Sequence, residues 1–202
     1  MSARIERVVT SGIFSLDGED HQVENNVWLV GDSNEVIVID AAHSAAVIAA
    51  AIGERRVAGI ICTHGHNDHI NAAVELSSIV NAPIALHPKD RMLWDMVYDD
   101  RSPDLTLDEH ERIGIGGTEL VVLETPGHSP GGICLYGAEL SAVFSGDTLF
   151  SGGPGATGRS FSDYDTIVES IRGKLFTLGA QTVVHTGHGD STTIGAEAAA
   201  LT

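Results

Sequence analysis

The sequence predicts an α/β fold, and three observations carry that expectation. Through the first half, apolar β-forming runs alternate with helix-like segments. From Glu119 the chain passes through short strands bounded by glycines before it turns helical again. Metal-type side chains fall at the ends of the apolar runs, where α/β proteins place their sites. Two strand-rich, helix-flanked halves suggest a pseudo-symmetric sandwich, read as one domain over residues 1–202.

Taken in order, Arg4 to Val9, Gly12 to Leu16, Val27 to Val30 and Val36 to Ile39 are runs of β-formers, and Gly31 to Asn34 is a hairpin turn between the last two. The Ala-rich stretch Ser44 to Arg56 reads as a helix leading into a strand over Val57 to Cys62. A helix over about Asp68 to Val80, a strand over Pro83 to His87 and a helix over Pro88 to Val97 complete a β-α-β-α alternation. Asp99 to Glu111 is an acidic loop placed to overhang a site. Leu120 to Leu123, Ile133 to Tyr136 and Ala142 to Phe144 are short strands, followed by the glycine-rich loop 151–158. Asp163 to Leu175 is helical with Ser162 as N-cap, Gln181 to His185 is a strand, and Ile194 to Leu201 is a closing helix.

Bulk properties narrow the partners. With 202 residues, 43% hydrophobic and 19% charged, the chain can bury a sizeable core. A formal net charge of −17 leaves no basic stripe for nucleic acid and disfavours an anionic membrane surface. Only Cys62 and Cys134 occur, each inside an apolar run, so buried free thiols are expected. The first residues lack the apolar segment of a secretion signal, and no stretch reaches membrane-span length, so a cytoplasmic location is expected.

The chemistry concentrates in Thr63-His64-Gly65-His66-Asn67-Asp68-His69, directly after an apolar strand. Neutral imidazole and carboxylate are the donors that borderline divalent metals prefer. Four such side chains between positions 64 and 69 exceed what one tetrahedral ion needs, so the spacing suggests a split between two ions. A solvated run at a helix start would account for Asp68, through the helix dipole, but not for three histidines. Three later strand ends add His128, Asp147 and His188, each beside a glycine that lets the backbone approach a crowded centre. Asp40 closes its own apolar run, either as a cap or as a partner behind a metal ligand.

These landmarks, His64-x-His66-x-Asp68-His69, His128, Asp147 and His188 with Asp40 as the first, resemble the metallo-β-lactamase superfamily over nearly the whole chain. The resemblance implies a four-layer αββα sandwich with a dinuclear site at one edge. It implies that His64, His66 and His128 bind one metal, that Asp68, His69 and His188 bind the other, and that Asp147 bridges. The ions implied are two divalent metals, zinc first, with iron or manganese as alternatives. Thr125-Pro-Gly-His128-Ser-Pro-Gly-Gly, Gly146-Asp147-Thr-Leu-Phe150, Gly158-Arg159 and Gly187-His188-Gly with Thr192-Thr-Ile-Gly195 and Glu197 are similar to the glyoxalase II group. Phe161 stands where that group usually has Asp. The sequence ends at Thr202, without the C-terminal helical extension that carries glutathione contacts in the full-length enzymes, so the likeness is to the short single-domain branch.

The implied activity is hydrolysis of a small thioester by a metal-bridging hydroxide, with Asp68 and Asp147 as the catalytic carboxylates. Its main rival within the same group is a persulfide dioxygenase, in which one iron uses His64, His128 and Asp147. Lactam or phosphodiester hydrolysis by the same centre is the next. Arg159 reads either as a clamp for a substrate carboxylate or as a support for the glycine-rich loop. His21, His43, His87 and His110 read as surface or structural histidines, and Trp28 and Trp94 as core.

Overall fold

A computed structural model describes residues 3–16 and 18–201. Met1, Ser2, Asp17 and Thr202, on which the readings of the two chain ends partly rest, lie outside the described residues. The first sheet is β1 (Arg4–Leu16), β2 (Glu19–Gly31), β3 (Glu35–Ile39), β4 (Arg56–Ile61), β5 (Ile84–Leu86) and β6 (Leu105–Thr106), in that spatial order. β1 to β3 form an antiparallel meander, whereas β3 to β6 pair in parallel. The second sheet takes β7 (Arg112–Ile115), β8 (Thr118–Glu124), β9 (Ile133–Gly137) and β10 (Ala142–Gly146) in an antiparallel run. A small ribbon of β11 (Leu149–Phe150) and β12 (Gly153–Pro154) follows. β13 (Val183–Thr186) then returns parallel to β10, with β14 (Thr192–Thr193) at its outer edge.

Alternation along the strands produces the layers. Successive side chains of a strand point to opposite faces. Val27 and Leu29 of β2, Val36 and Val38 of β3, and Ile60 of β4 pack outward with α1 (Ala45–Ile52), α2 (Asn67–Ile70) and α3 (Ala73–Val80). Their neighbours Trp28, Val30, Ile37, Ile39 and Ile61 face Leu120, Val122, Ile133, Leu135 and Phe144 of the second sheet. The outer face of that sheet, including Cys134, Val143 and Val184, packs under α5 (Tyr164–Ser170) and α6 (Ile194–Ala200). Three apolar layers between four sets of elements are the αββα sandwich that was expected. Each central strand is buried on both faces, which explains its near-continuous apolar sequence. The two cysteines lie in different layers, free and buried.

Several local expectations are corrected by tertiary contacts. The two runs expected over residues 4–16 are one continuous strand, paired residue by residue with a β2 that starts at Glu19. The helix expected over about 68–80 breaks at Asn71-Ala72, because the Asn71 side chain accepts the His43 N–H at 2.6 Å and the Ala72 N–H turns to Ala41 O at 3.1 Å. Pro88 to Asp90 is a 3₁₀ turn, and α4 covers only Arg91–Trp94. The 99–111 segment does not overhang the site. It holds edge strand β6 and is tied back by Asp104 N–H to Ile84 O at 2.8 Å. Asp163, not Ser162, caps α5, accepting from Thr166 N–H, and the last turn widens to a π-helical turn over Ile171–Leu175. Among the described residues, no helix is long and apolar enough to cross a membrane.

Two cross-sheet ties set the geometry at one edge. Asn26 N–H donates to Gly187 O at 2.7 Å, and Ile133 N–H donates to Thr63 O at 2.9 Å. The chain segments leaving β3, β4, β8, β10 and β13 therefore converge there.

Candidate metal centre

Each strand end delivers a donor to that edge. Asp40 follows β3, the 64–69 run follows β4, His128 follows β8, Asp147 follows β10 and His188 follows β13. The ligand-type atoms of His64, His66 and His128 lie within 4.8 Å of one another, as do those of Asp68, His69 and His188. Asp147 stands between the trios: Oδ1 is 3.3 Å from His69 Nε2, and Oδ2 is 3.5 Å from both His128 Nε2 and His188 Nε2. All seven side chains expected at the site come together. Asp40, His64 and His69 form a third close group, but there the carboxylate is already engaged with Thr63 and His69.

Hydrogen bonds behind the centre choose the histidine tautomers. His69 Nδ1 donates to Asp40 Oδ2 at 3.0 Å, His188 Nδ1 to Glu24 O at 2.7 Å, and His128 Nδ1 to Ala156 O at 2.8 Å. Each bond engages the Nδ1 proton and turns Nε2 inward, toward the centre. Asp40 also accepts Thr63 N–H and Thr63 Oγ–H, both at 2.7 Å, so Thr63 Oγ accepts from His64 Nδ1 at 3.0 Å. His64 Nε2 is then buried with no hydrogen-bond partner among the described residues. An orphaned lone pair among converging imidazoles and carboxylates is costly unless a cation meets it. The donor set and that orphan fit borderline divalent metals.

The charges divide the centre. Burial keeps the imidazoles of His64 and His66 neutral, and the neighbouring histidines add to it, with His66 pushed down to about 3. Burial would raise the Asp68 carboxyl, but the adjacent His69 and a hydrogen bond from His188 outweigh it and hold it at about 2. Asp147 follows the same pattern, well below the usual carboxylate range. Burial opposes charge on His69 and His188 too, yet the facing carboxylates win, lifting His188 to about 10 and His69 upward. One half thus offers neutral donors, and the other gathers negative potential that favours a cation.

A cleft of about 140 Å³ opens onto the centre, lined by Phe14, Val23, Asp147, Arg159, Ser162 and His188 among others. Arg159 stands at its mouth with the guanidinium 5.9 Å from the Phe14 ring centroid. The loop turn itself is closed by Ser162 Oγ, which accepts Arg159 N–H and donates to Arg159 O. Trp28 and Trp94 are core, donating to Thr186 O and Arg101 O. His21, His87 and His110 pair with Glu19, Glu124 and Glu109, away from the centre.

Sequence reading passed over Asp90 and Asn25. Asp90 is fully buried and accepts Gly65 N–H at 2.8 Å, Ser129 Oγ–H at 2.6 Å and Gly131 N–H, so it ties the His64–His66 loop to the His128 loop. Nothing in His87-Pro-Lys-Asp90 signals this, because its partners are distant in sequence. Asn25 precedes the apolar run of β2, and its amide reaches Asp68, His69 and His188. An Asn-Asn pair ahead of an apolar strand is the only local signal.

His185, on β13 just ahead of His188, serves the core instead. Its ring stacks on Phe144 at 5.1 Å and tilts against Trp28 at 4.4 Å, and burial pushes its pKa down to about 4 from 6.5. A histidine depressed in the folded state contributes stability that is present above about pH 6.5 and is lost as pH falls toward 4. After allowance for its exposed edge, the loss is about 1–2 kcal/mol. His185→Leu should flatten that part of the profile, measured by urea unfolding at pH 7.0 against pH 4.5. An unchanged difference between the two proteins would refute the assignment.

Comparison with known proteins places the fold in a family. The family model of the metallo-β-lactamase superfamily matches residues 22–188. Hydroxyacylglutathione hydrolase GloC of Haemophilus influenzae is 34% identical over 151 residues, covering 68% of this chain and 71% of that protein. The crystal structure of TTHA1623 in a di-iron-bound form superposes with a TM-score of 0.79 at 32% identity, covering 87% and 93% of the two chains. That of the B3 metallo-β-lactamase BLEG-1 gives 0.79 at 26% identity, covering 93% and 95%. The chain belongs to the metallo-β-lactamase superfamily.

Proposed function

We propose that this protein is a metal-dependent hydrolase that cleaves the thioester of a low-molecular-weight thiol. The observation that carries the reading is the pair of donor trios joined by Asp147 at the base of one cleft. His64, His66 and His128 would hold one divalent ion, Asp68, His69 and His188 the other, and Asp147 both. Bound there, the ions would supply water activation near neutral pH and positive charge for a developing oxyanion.

The chain's own groups do the rest. Asp68 and Asp147 stay ionised and can take a proton from an attacking water. A thiol leaving group, with a pKa near 8.5, departs as thiolate without a dedicated acid. Cys62 and Cys134 are buried with their pKa values pushed up, Cys134 to about 11, so neither acts as a nucleophile. Arg159 at the cleft mouth suits an anionic group on the substrate, and Phe14 and Val23 supply an apolar wall. The likeness to GloC supports a thioester. The likeness to BLEG-1 makes a lactam the control substrate.

A panel of acyl-thioesters on different small thiols, run beside a chromogenic lactam and with metal analysis, tests this. At least one thioester should be hydrolysed faster than the lactam, with activity removed by chelation and restored by zinc, iron or manganese. Chelation should also lower the thermal midpoint, since an ion at a hundred times its dissociation constant adds about 2.7 kcal/mol. Failure of the metal-loaded protein to turn over any acyl-thiol sinks the proposal. One iron per chain with oxygen consumption on a persulfide would replace it with the dioxygenase reading.

A further inference from the structure

A second cavity, of about 250 Å³, opens beside the cleft at the metal centre. Phe14 and His66 line both, so the two compartments share a wall and meet at a candidate ligand. Beyond that wall the lining becomes Leu93, Met96 and Val97. One side of this groove is the end of β1, and the other is α4 with the segment that leaves it. Its inner end is firmly built. A Cβ at Gly65 would lie 2.8 Å from Leu93 Cβ, and Asp90 holds the Gly65 N–H at 2.8 Å.

The two compartments differ in chemistry. The cleft carries Arg159, Ser160 and Ser162, which suit a polar or anionic group. The polar side chains of the groove are engaged. Asn67 Oδ1 accepts Ser15 N–H at 3.4 Å, and Ser15 Oγ–H donates to Asp20 Oδ1 at 2.6 Å. Met96 stands 67% exposed at the rim, and an unbranched thioether adapts readily to an apolar ligand. The occupant is a small molecule by size. Four apolar side chains offer far less than the about 800 Å² per partner that a stable assembly buries. A methylene fills about the same ~30 Å³ as a water molecule in the liquid, so roughly eight carbons fill the groove.

We propose that this groove is the acyl site, and that the preferred substrates are thioesters of unbranched apolar acids of about six to eight carbons. The inference rests on the proposed thioester hydrolysis and adds which end of the substrate goes where. The thiol portion lies toward Arg159, and the acyl chain runs past Phe14 toward Met96. A short hydroxyacyl group would leave the groove empty and find no free partner in it for its hydroxyl.

The test is a series of straight-chain thioesters of N-acetylcysteamine, from acetyl to decanoyl, offered to the metal-loaded full chain. The leaving group is the same throughout and uncharged, so chain length alone varies. From butanoyl to octanoyl kcat/KM should rise by at least about 30-fold, since each fully buried methylene contributes about fourfold. It should level off at decanoyl. Met96→Glu sets a charge on the apolar wall at an exposed position, and should lower the octanoyl-to-butanoyl ratio at least about 10-fold. Calorimetric titration of the metal-free chain gives a readout that needs no turnover. Octanamide should bind at least about 10-fold tighter than butanamide, and Met96→Glu should remove the difference. Turnover that is flat with chain length overturns this inference and leaves the proposed function standing. Octanamide binding no tighter than butanamide overturns it as well. A dimer in sedimentation velocity that Met96→Glu dissolves would give the groove to a second copy, with the same result. No turnover of any member, acetyl included, overturns the proposed function together with the acyl assignment.

Discussion

Asp147→Asn should cost the centre both ions at once. Asp147 lies within 3.5 Å of Nε2 atoms from both trios. Asparagine keeps the shape but replaces an oxygen by an NH₂ that cannot ligate, and it removes the negative charge that offsets His69 and His188. Groups that merely orient ligands typically change metal affinity by about 10–100-fold, and a shared donor should exceed the upper end of that range. Hydrolysis should fall with it by at least about 10²-fold, the effect of losing one preorganised stabilising group. Asp147 belongs to none of the three apolar layers, so far-UV circular dichroism should be unchanged. Equilibrium dialysis that finds two tightly held ions in the variant would refute the bridging role.

Gly187→Ala should be nearly as damaging, for a steric reason. A Cβ at Gly187 would lie 2.3 Å from Asp147 Oδ1 and 2.7 Å from His69 Cε1. The backbone cannot retreat, because Gly187 N–H donates to Gly146 O at 2.8 Å and Gly187 O accepts Asn26 N–H at 2.7 Å. Overpacking of this kind costs about 1–3 kcal/mol. More of the effect should appear in function, since the two atoms displaced belong to side chains, Asp147 and His69, of the candidate centre. Gly189→Ala is the control. Its φ of +66° makes alanine cost about 1–2 kcal/mol, but nothing lies within 4 Å of a Cβ there. Metal affinity should therefore fall at least about 10-fold in the first variant and stay unchanged in the second. Equal affinities in the two would show that Gly187 is not packed against the centre as described.

The seven donor positions were legible because each sits at the end of an apolar run, and a sheet edge collects such ends. His64 to His69 also lie within two turns of one segment, so their proximity needs no tertiary information. The layers were not legible in the same way: β2, β3 and β9 are apolar on both faces where they are buried, so the four-layer arrangement was implied by the resemblance and not by strand pattern. Local pattern was less reliable where a single long-range bond competes with it. Asn71 breaks the expected helix because its side chain serves His43, 28 positions away. The 99–111 segment became an edge strand because β5 offered it unpaired backbone groups.

Residue types and spacing thus pointed to the side chains that the fold brings together, and to the end of the strand where each lies. They could not settle what those side chains hydrogen-bond to from behind. The partners are far apart in sequence, 25 to 41 positions for Asp90 and as many as 163 for Asn25. Tautomer, amide orientation and the unpaired His64 nitrogen all depend on such partners. A hydrogen bond is decided by a few tenths of an ångström, and only the packing of the two sheets against each other brings these groups that close.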